Sequence, residues 1–110
     1  MDTEGLRAYR ERDHFSEWQG HIPDHHIAAS RALIIRLVDE VLALGAIPPG
    51  GSVEAAIDHA VLGFNALDEG EGGPWIMTIE REAIVEALWE LADLAGIEYH
   101  EEDLVGSRDW

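Results

Sequence analysis

The sequence predicts an all-α fold, a small bundle of three to four helices forming a single domain over residues 1–110. Three observations carry this. Apolar residues recur at three- and four-residue steps through three long segments. Residues that favour helix starts and stops flank each segment. Short Pro- and Gly-rich connections join the segments, which favours antiparallel neighbours. A chain of 110 residues fits one domain and leaves little room for a second.

Residues 1–23 are the least regular part. Leu6, Tyr9, Phe15 and Trp18 can line one face of a short helix, with Arg7, Arg10, Glu11 and Arg12 outside, before Gly20 and Pro23 interrupt. A short or frayed helix in a mobile N-terminal segment is expected here. The clearest helix covers residues 24–44. Asp24 is its predicted N-cap, Ile27, Ile34, Leu37, Val38, Val41, Leu42 and Leu44 make a wide apolar stripe, and Gly45 suits the left-handed position after its end. Ile47-Pro48-Pro49-Gly50-Gly51 reads as a turn, and Ser52 as the cap of the next helix. That helix carries Val53, Ile57, Ala60, Val61, Phe64 and Leu67, and ends near Asp68. The glycine-rich run from Glu69 to Pro74 matches no phosphate-binding pattern and reads as a connector. Thr78 is the predicted cap of the last long helix, whose core stripe is Ile84, Ala87, Leu88, Leu91, Leu94 and Ala95, closed by Gly96. The remaining tail ends at Trp110.

Charge is the strongest feature of the composition. Twenty-three acids face seven bases, a net of −16, and every base is arginine. Residues 1–50 hold eight acids and five arginines, a net of −3; residues 51–110 hold fifteen acids and two arginines, a net of −13. Such a field repels nucleic acid, which is bound through Lys and Arg on phosphates. It attracts a basic protein and speeds its approach. Acidic charge also keeps a small protein soluble, so a merely solvated face is the competing reading. The absence of cysteine removes disulfides and thiolate chemistry. The N-terminal residues lack the apolar core of a signal peptide, and no stretch is apolar enough to span a bilayer. A cytoplasmic protein with no membrane contact is expected.

Candidate chemistry is sparse. His21, Asp24, His25 and His26 form the densest group of metal-ligand types, suited to Zn, Ni or Fe. On a helix, residues 25 and 26 point about 100° apart, so a ligand from elsewhere, such as His59 or Glu17, would be required. His59 itself reads as a partly buried, hydrogen-bonded residue, and His14 and His100 have no evident partners. The serines sit in no nucleophile motif, and no cofactor is expected. Glu82, Glu86, Glu90 and Asp93 run along one helical face. With Trp89, and with Glu98, Tyr99, Glu101, Glu102 and Asp103 beyond, they mix acids that steer with aromatics that hold an interface.

Phe64-Asn65-Ala66-Leu67-Asp68-Glu69, then Ile76-Met77-Thr78-Ile79-Glu80-Arg81-Glu82, then Glu102-Asp103-Leu104 and Arg108-Asp109-Trp110, form a pattern. It resembles a group of small acidic bacterial proteins that read FN-x-LNE, IET-x-ERE, EDIT and a closing WREW. Asp68 stands where Asn is usual, and Met77 where Glu is usual. The resemblance covers roughly residues 60–110 and implies a shared fold and a kinship with immunity or defence accessory proteins. It carries no established activity. Asn65, Thr78 and Arg81 read as capping and buried polar contacts that fix loop geometry. The expected function is therefore a non-enzymatic acidic protein that binds a basic partner, concretely a toxin-neutralising immunity protein. A metal site at His21, Asp24, His25 or His26, including a metal-dependent enzyme, is the alternative, and a structural homodimer a further one.

Overall fold

The computed structural model describes every residue except Glu71. Its elements are α1 (Thr3–Arg10), a 3₁₀ turn (Ser16–Trp18), α2 (Asp24–Ala43), α3 (Ser52–Glu69), α4 (Thr78–Ala95) and the one-turn α5 (Glu101–Leu104). No strand occurs among the described residues. Three long helices and a short fourth thus make the expected all-α bundle.

α2 and α3 run antiparallel. His59 meets Glu40 and, one turn further along α3, Gly63 meets Leu33, earlier on α2. Gly63 permits that approach, since a Cβ there would lie 2.7 Å from a Leu33 methyl. The other pair is α1 against α4, also antiparallel: Asp2 N–H donates to the Leu94 carbonyl (2.7 Å) and the Tyr9 hydroxyl to the Ala87 carbonyl (2.5 Å). Arginines of the N-terminal segment fasten both sides of α1. Arg10 grips Asp39 of α2 through Nε and Nη2 at 2.7 and 3.1 Å, and Arg12 pairs with Glu90 of α4. The Arg10 guanidinium holds the Asp39 carboxyl below its ordinary range.

The N-terminal segment, expected to be short or frayed, is part of the core. Leu6 and Trp18 are fully buried, and Tyr9 and Phe15 nearly so. Asp2, which the apolar pattern does not reveal, caps α1 by accepting from Gly5 N–H at 2.8 Å. Phe15 takes a left-handed φ of 65° to place its ring, which stacks on Trp18 at 4.2 Å and meets the edge of Phe64. Such a conformation costs a bulky residue roughly 1–2 kcal/mol. The aromatic stack over Phe64 offsets it.

Several predicted caps are placed differently. Pro23 precedes the first residue of α2, so Asp24 opens the helix without capping it. Ser52 is the first residue of α3, and its hydroxyl donates to the Pro49 carbonyl, closing the Pro-Pro-Gly-Gly turn. At α4 the cap position is Met77, with Thr78 one residue inside. The Met77 N–H donates to Glu80, whose buried carboxylate reaches back at 3.0 Å. Gly45 and Gly96 hold left-handed conformations at the ends of α2 and α4, as expected. After Gly96, the Ile97 N–H donates back to Ala92, which turns the chain out of the bundle.

Candidate functional site

The C-terminal segment folds back along the bundle rather than trailing from it. Asn65, buried on α3, donates from Nδ2 to the Ser107 carbonyl (2.8 Å) and accepts from Asp109 N–H (2.9 Å). This two-way clamp seats Trp110 against the edge of Phe64. Leu104, Val105 and Trp110 are buried as a result. Asp68, one turn further along α3, accepts from both Trp75 and Ile76 N–H at 2.9 and 2.8 Å and so closes the glycine-rich connector.

The middle of the segment is tied to α4. The Trp89 indole donates to the Glu101 carbonyl (3.2 Å). The Tyr99 hydroxyl bridges the Trp89 carbonyl (3.3 Å) and the Asp93 carboxylate (3.0 Å). Desolvation first, and then the nearby carboxylate, raise the Tyr99 phenol above its ordinary range. Trp89 and Tyr99 are therefore half-buried and fixed in orientation. The aromatics are less exposed than the sequence suggests: Trp18 and Trp110 are buried outright, and Trp75 and Trp89 half-buried.

With the segment in place, six of the nine candidate binding residues divide between two grooves. The first lies between α3 and residues 98–104, encloses about 290 Å³, and is lined by Glu54, Asp58, Glu98, Tyr99, His100, Asp103 and Leu104. Four carboxylates from two chain regions meet there, and no arginine lines it. Glu98, Tyr99 and Asp103 were candidates from sequence; Glu54 and Asp58 on α3 were not. Only the fold-back of the tail brings them near, and no local pattern signals it. The second groove, of about 160 Å³, lies between α4 and the tail and holds Glu86, Trp89 and Glu102 together with Arg81, Glu82, Val85 and Arg108. The other candidates fall outside both. Glu90 is engaged by Arg12, Asp93 accepts from Tyr99, and Glu101 contributes its carbonyl to Trp89 while its side chain is exposed.

The histidine-rich group around Pro23 is spread out. His21 lies 3.9 Å from the buried Glu80 carboxylate. His26 stacks on Trp75 at 4.5 Å, with His25 tilted beside it at 4.2 Å; the two rings approach more closely than 100° of helical divergence suggests. Asp24 is exposed. Among the described residues, no three His, Asp or Glu side chains are grouped to hold a metal ion. His59 is exposed rather than partly buried, and meets Glu40 at 3.2 Å. His14 is the buried histidine, its Nε2 2.7 Å from the Tyr9 carbonyl, and sequence reasoning missed it because its partner is an ordinary backbone group.

No protein-family model matches this chain, and neither a curated protein nor a solved structure does. No helix is long and apolar enough to cross a membrane among the described residues.

Proposed function

We propose that this chain is a non-enzymatic binding protein that receives basic side chains of a protein partner in the acidic groove between α3 and the C-terminal segment. The observation that carries this reading is the meeting of Glu54 and Asp58 with Glu98 and Asp103 around one open groove that no arginine lines. A guanidinium or ammonium that enters among four carboxylates is attracted by all of them at once. Tyr99, on the groove wall, offers a ring face to a cation, a contact worth about 0.5–1 kcal/mol where water reaches it. The net charge of −16 draws a basic partner from a distance, and the groove supplies the contact. The resemblance of residues 60–110 to small acidic bacterial proteins favours one concrete form, an immunity protein that covers the basic surface of a toxin.

Capture from a host lysate at low and moderate salt tests the proposal. The wild-type chain is compared with a variant carrying Glu54→Gln, Asp58→Asn, Glu98→Gln and Asp103→Asn. A basic protein retained by the wild type and lost by the variant is the expected result. Recovery of no basic protein at either salt, or equal recovery by both chains, counts against it.

A further inference from the structure

The acidic groove does not end at Glu54 and Glu98. The same two residues also line a larger hollow of about 410 Å³ at the end of the bundle, so the two spaces adjoin across them. This hollow lies where the Pro-Pro-Gly-Gly turn between α2 and α3 faces the residues that follow α4. Its apolar side chains are Ile47, Pro48, Pro49, Val53 and Ile97. Val53 is buried and Ile97 half-buried, and both pack into the core. Ile47 does not. It is 91% exposed, more than any other large apolar residue described. So exposed a side chain adds almost nothing to the stability of the fold. It is also held in place. A residue that precedes proline is restricted to extended backbone, and the Pro49 carbonyl accepts from both the N–H (3.1 Å) and the hydroxyl (2.5 Å) of Ser52, which fixes the corner.

We propose, resting on the reading of the acidic groove as a receptor for basic side chains, that the partner carries an apolar side chain close in sequence to the basic one and seats it against Ile47 and Pro49. Charge and continuity select this occupant. A segment that delivers a guanidinium or ammonium to the groove passes Glu54 and Glu98 on its way into the hollow. An extended chain advances about 3.3–3.6 Å per residue, so the two side chains stand within a few residues of each other. The hollow is well above the roughly 150 Å³ that admits a benzene ring, so a leucine or phenylalanine side chain fits without rearrangement. A purely hydrophilic basic tail satisfies the carboxylates and leaves Ile47 in water. A second copy of this chain, itself at −16, is repelled from this acidic end. An apolar contact beside a charged rim is the ordinary anatomy of a protein interface, and a fixed anchor loses little freedom when it is covered.

The test uses five peptides of equal charge, so that long-range attraction is the same for all. The reference is acetyl-Gly-Gly-Arg-Arg-Gly-Gly-amide, and in the other four each glycine in turn is replaced by leucine. Titrations of the folded chain are followed by NMR. The reference is expected to bind and to weaken with salt. At least one leucine peptide is expected to bind about tenfold tighter, and to shift Ile47 methyl resonances that the reference leaves in place. Ile47→Ser is expected to bind the reference as the wild type does and to lose the leucine gain. Circular dichroism verifies its fold, which the exposed position protects. The variant with Glu54→Gln, Asp58→Asn, Glu98→Gln and Asp103→Asn is expected to lose all five peptides. Binding of the reference with no leucine peptide tighter, or an equal gain on Ile47→Ser, overturns the apolar seat and leaves the acidic groove standing. Failure of all five peptides to bind the wild type overturns both.

Discussion

Single buried polar side chains fix the parts of this molecule that its apolar pattern leaves open. Asp68 is the clearest case, because one carboxylate oxygen serves two backbone donors across the glycine-rich connector. Asp68→Ala leaves both donors without a partner and is expected to destabilise the fold by about 3 kcal/mol. Asp68→Asn retains an acceptor oxygen in that place and is expected to lose about 1 kcal/mol. Urea denaturation of the two variants checks the order. A similar loss for both would show that charge, rather than hydrogen-bond geometry, holds the connector. His14 supports a second residue-scale prediction. Burial holds its imidazole below its ordinary range, and the charges of Arg12 and Arg31 act the same way, against the Tyr9 carbonyl and Asp13. A lowered histidine is neutral in both folded and unfolded chains above about pH 6.5, where its contribution to stability is complete. As the pH falls below that value the unfolded chain takes up the proton first, so stability is lost until the pH passes the lower folded value. Between about pH 7.5 and 5, the wild type is therefore expected to lose more stability than His14→Gln. Thermal melts of both chains at several pH values give the difference, and parallel curves would remove His14 from the account.

The long helices were legible because each repeats its apolar residues often enough to specify a face, as Ile34, Leu37, Val38 and Val41 do on α2. The sequence makes α1 look short or frayed because eight residues give only two turns of pattern, and an isolated helix of that length does not hold in water. Its stability comes from packing between α2 and α4, and from Asp2, Arg10 and Arg12, whose partners lie far along the chain. The packing makes a prediction at this scale. Leu6 is fully buried between these helices, and Leu6→Ala is expected to destabilise the whole protein by about 3 kcal/mol. Amide exchange separates this from simple fraying. If α1 belongs to the core, its slowest amides exchange at the global rate in the wild type, and the variant accelerates α2 and α4 along with it. Faster exchange confined to residues 3–10 would show α1 to be a detachable element. The caps were the least legible features. At α4, the sequence offers Thr78 as the evident candidate, but the carboxylate of Glu80 closes the helix from inside, a choice set by how the connector delivers Met77.

At the scale of the whole molecule, the uneven charge was legible by counting, and its arrangement was not. Glu54 and Asp58 stand forty or more residues from Glu98 and Asp103, and the fold-back of the tail, tied to α4 by Trp89 and Tyr99 and to α3 by Asn65, brings them to one groove. The arrangement gives stability and binding opposite responses to salt. A net charge of −16 on 110 residues repels itself in the compact state more than in the expanded unfolded chain. The attractive arginine pairs, among them Arg10 with Asp39 and Arg12 with Glu90, are few and mostly exposed, and contribute little. Screening shortens from about 10 Å at 0.1 M to about 3 Å at 1 M, so added salt relieves repulsion across the molecule. Raising sodium chloride over that range is expected to stabilise the fold by on the order of 1 kcal/mol, seen as a melting temperature about 5 °C higher. Glu98→Gln with Asp103→Asn removes two of the crowded charges, so it is expected to raise the low-salt melting temperature and flatten the salt response. A melting temperature that falls with salt would mean that the arginine pairs outweigh the repulsion. Association with a basic partner runs the other way, because the same screening weakens the pull that brings it in. A partner whose association slows with salt while the free chain grows more stable is thus the combined signature expected of the acidic groove.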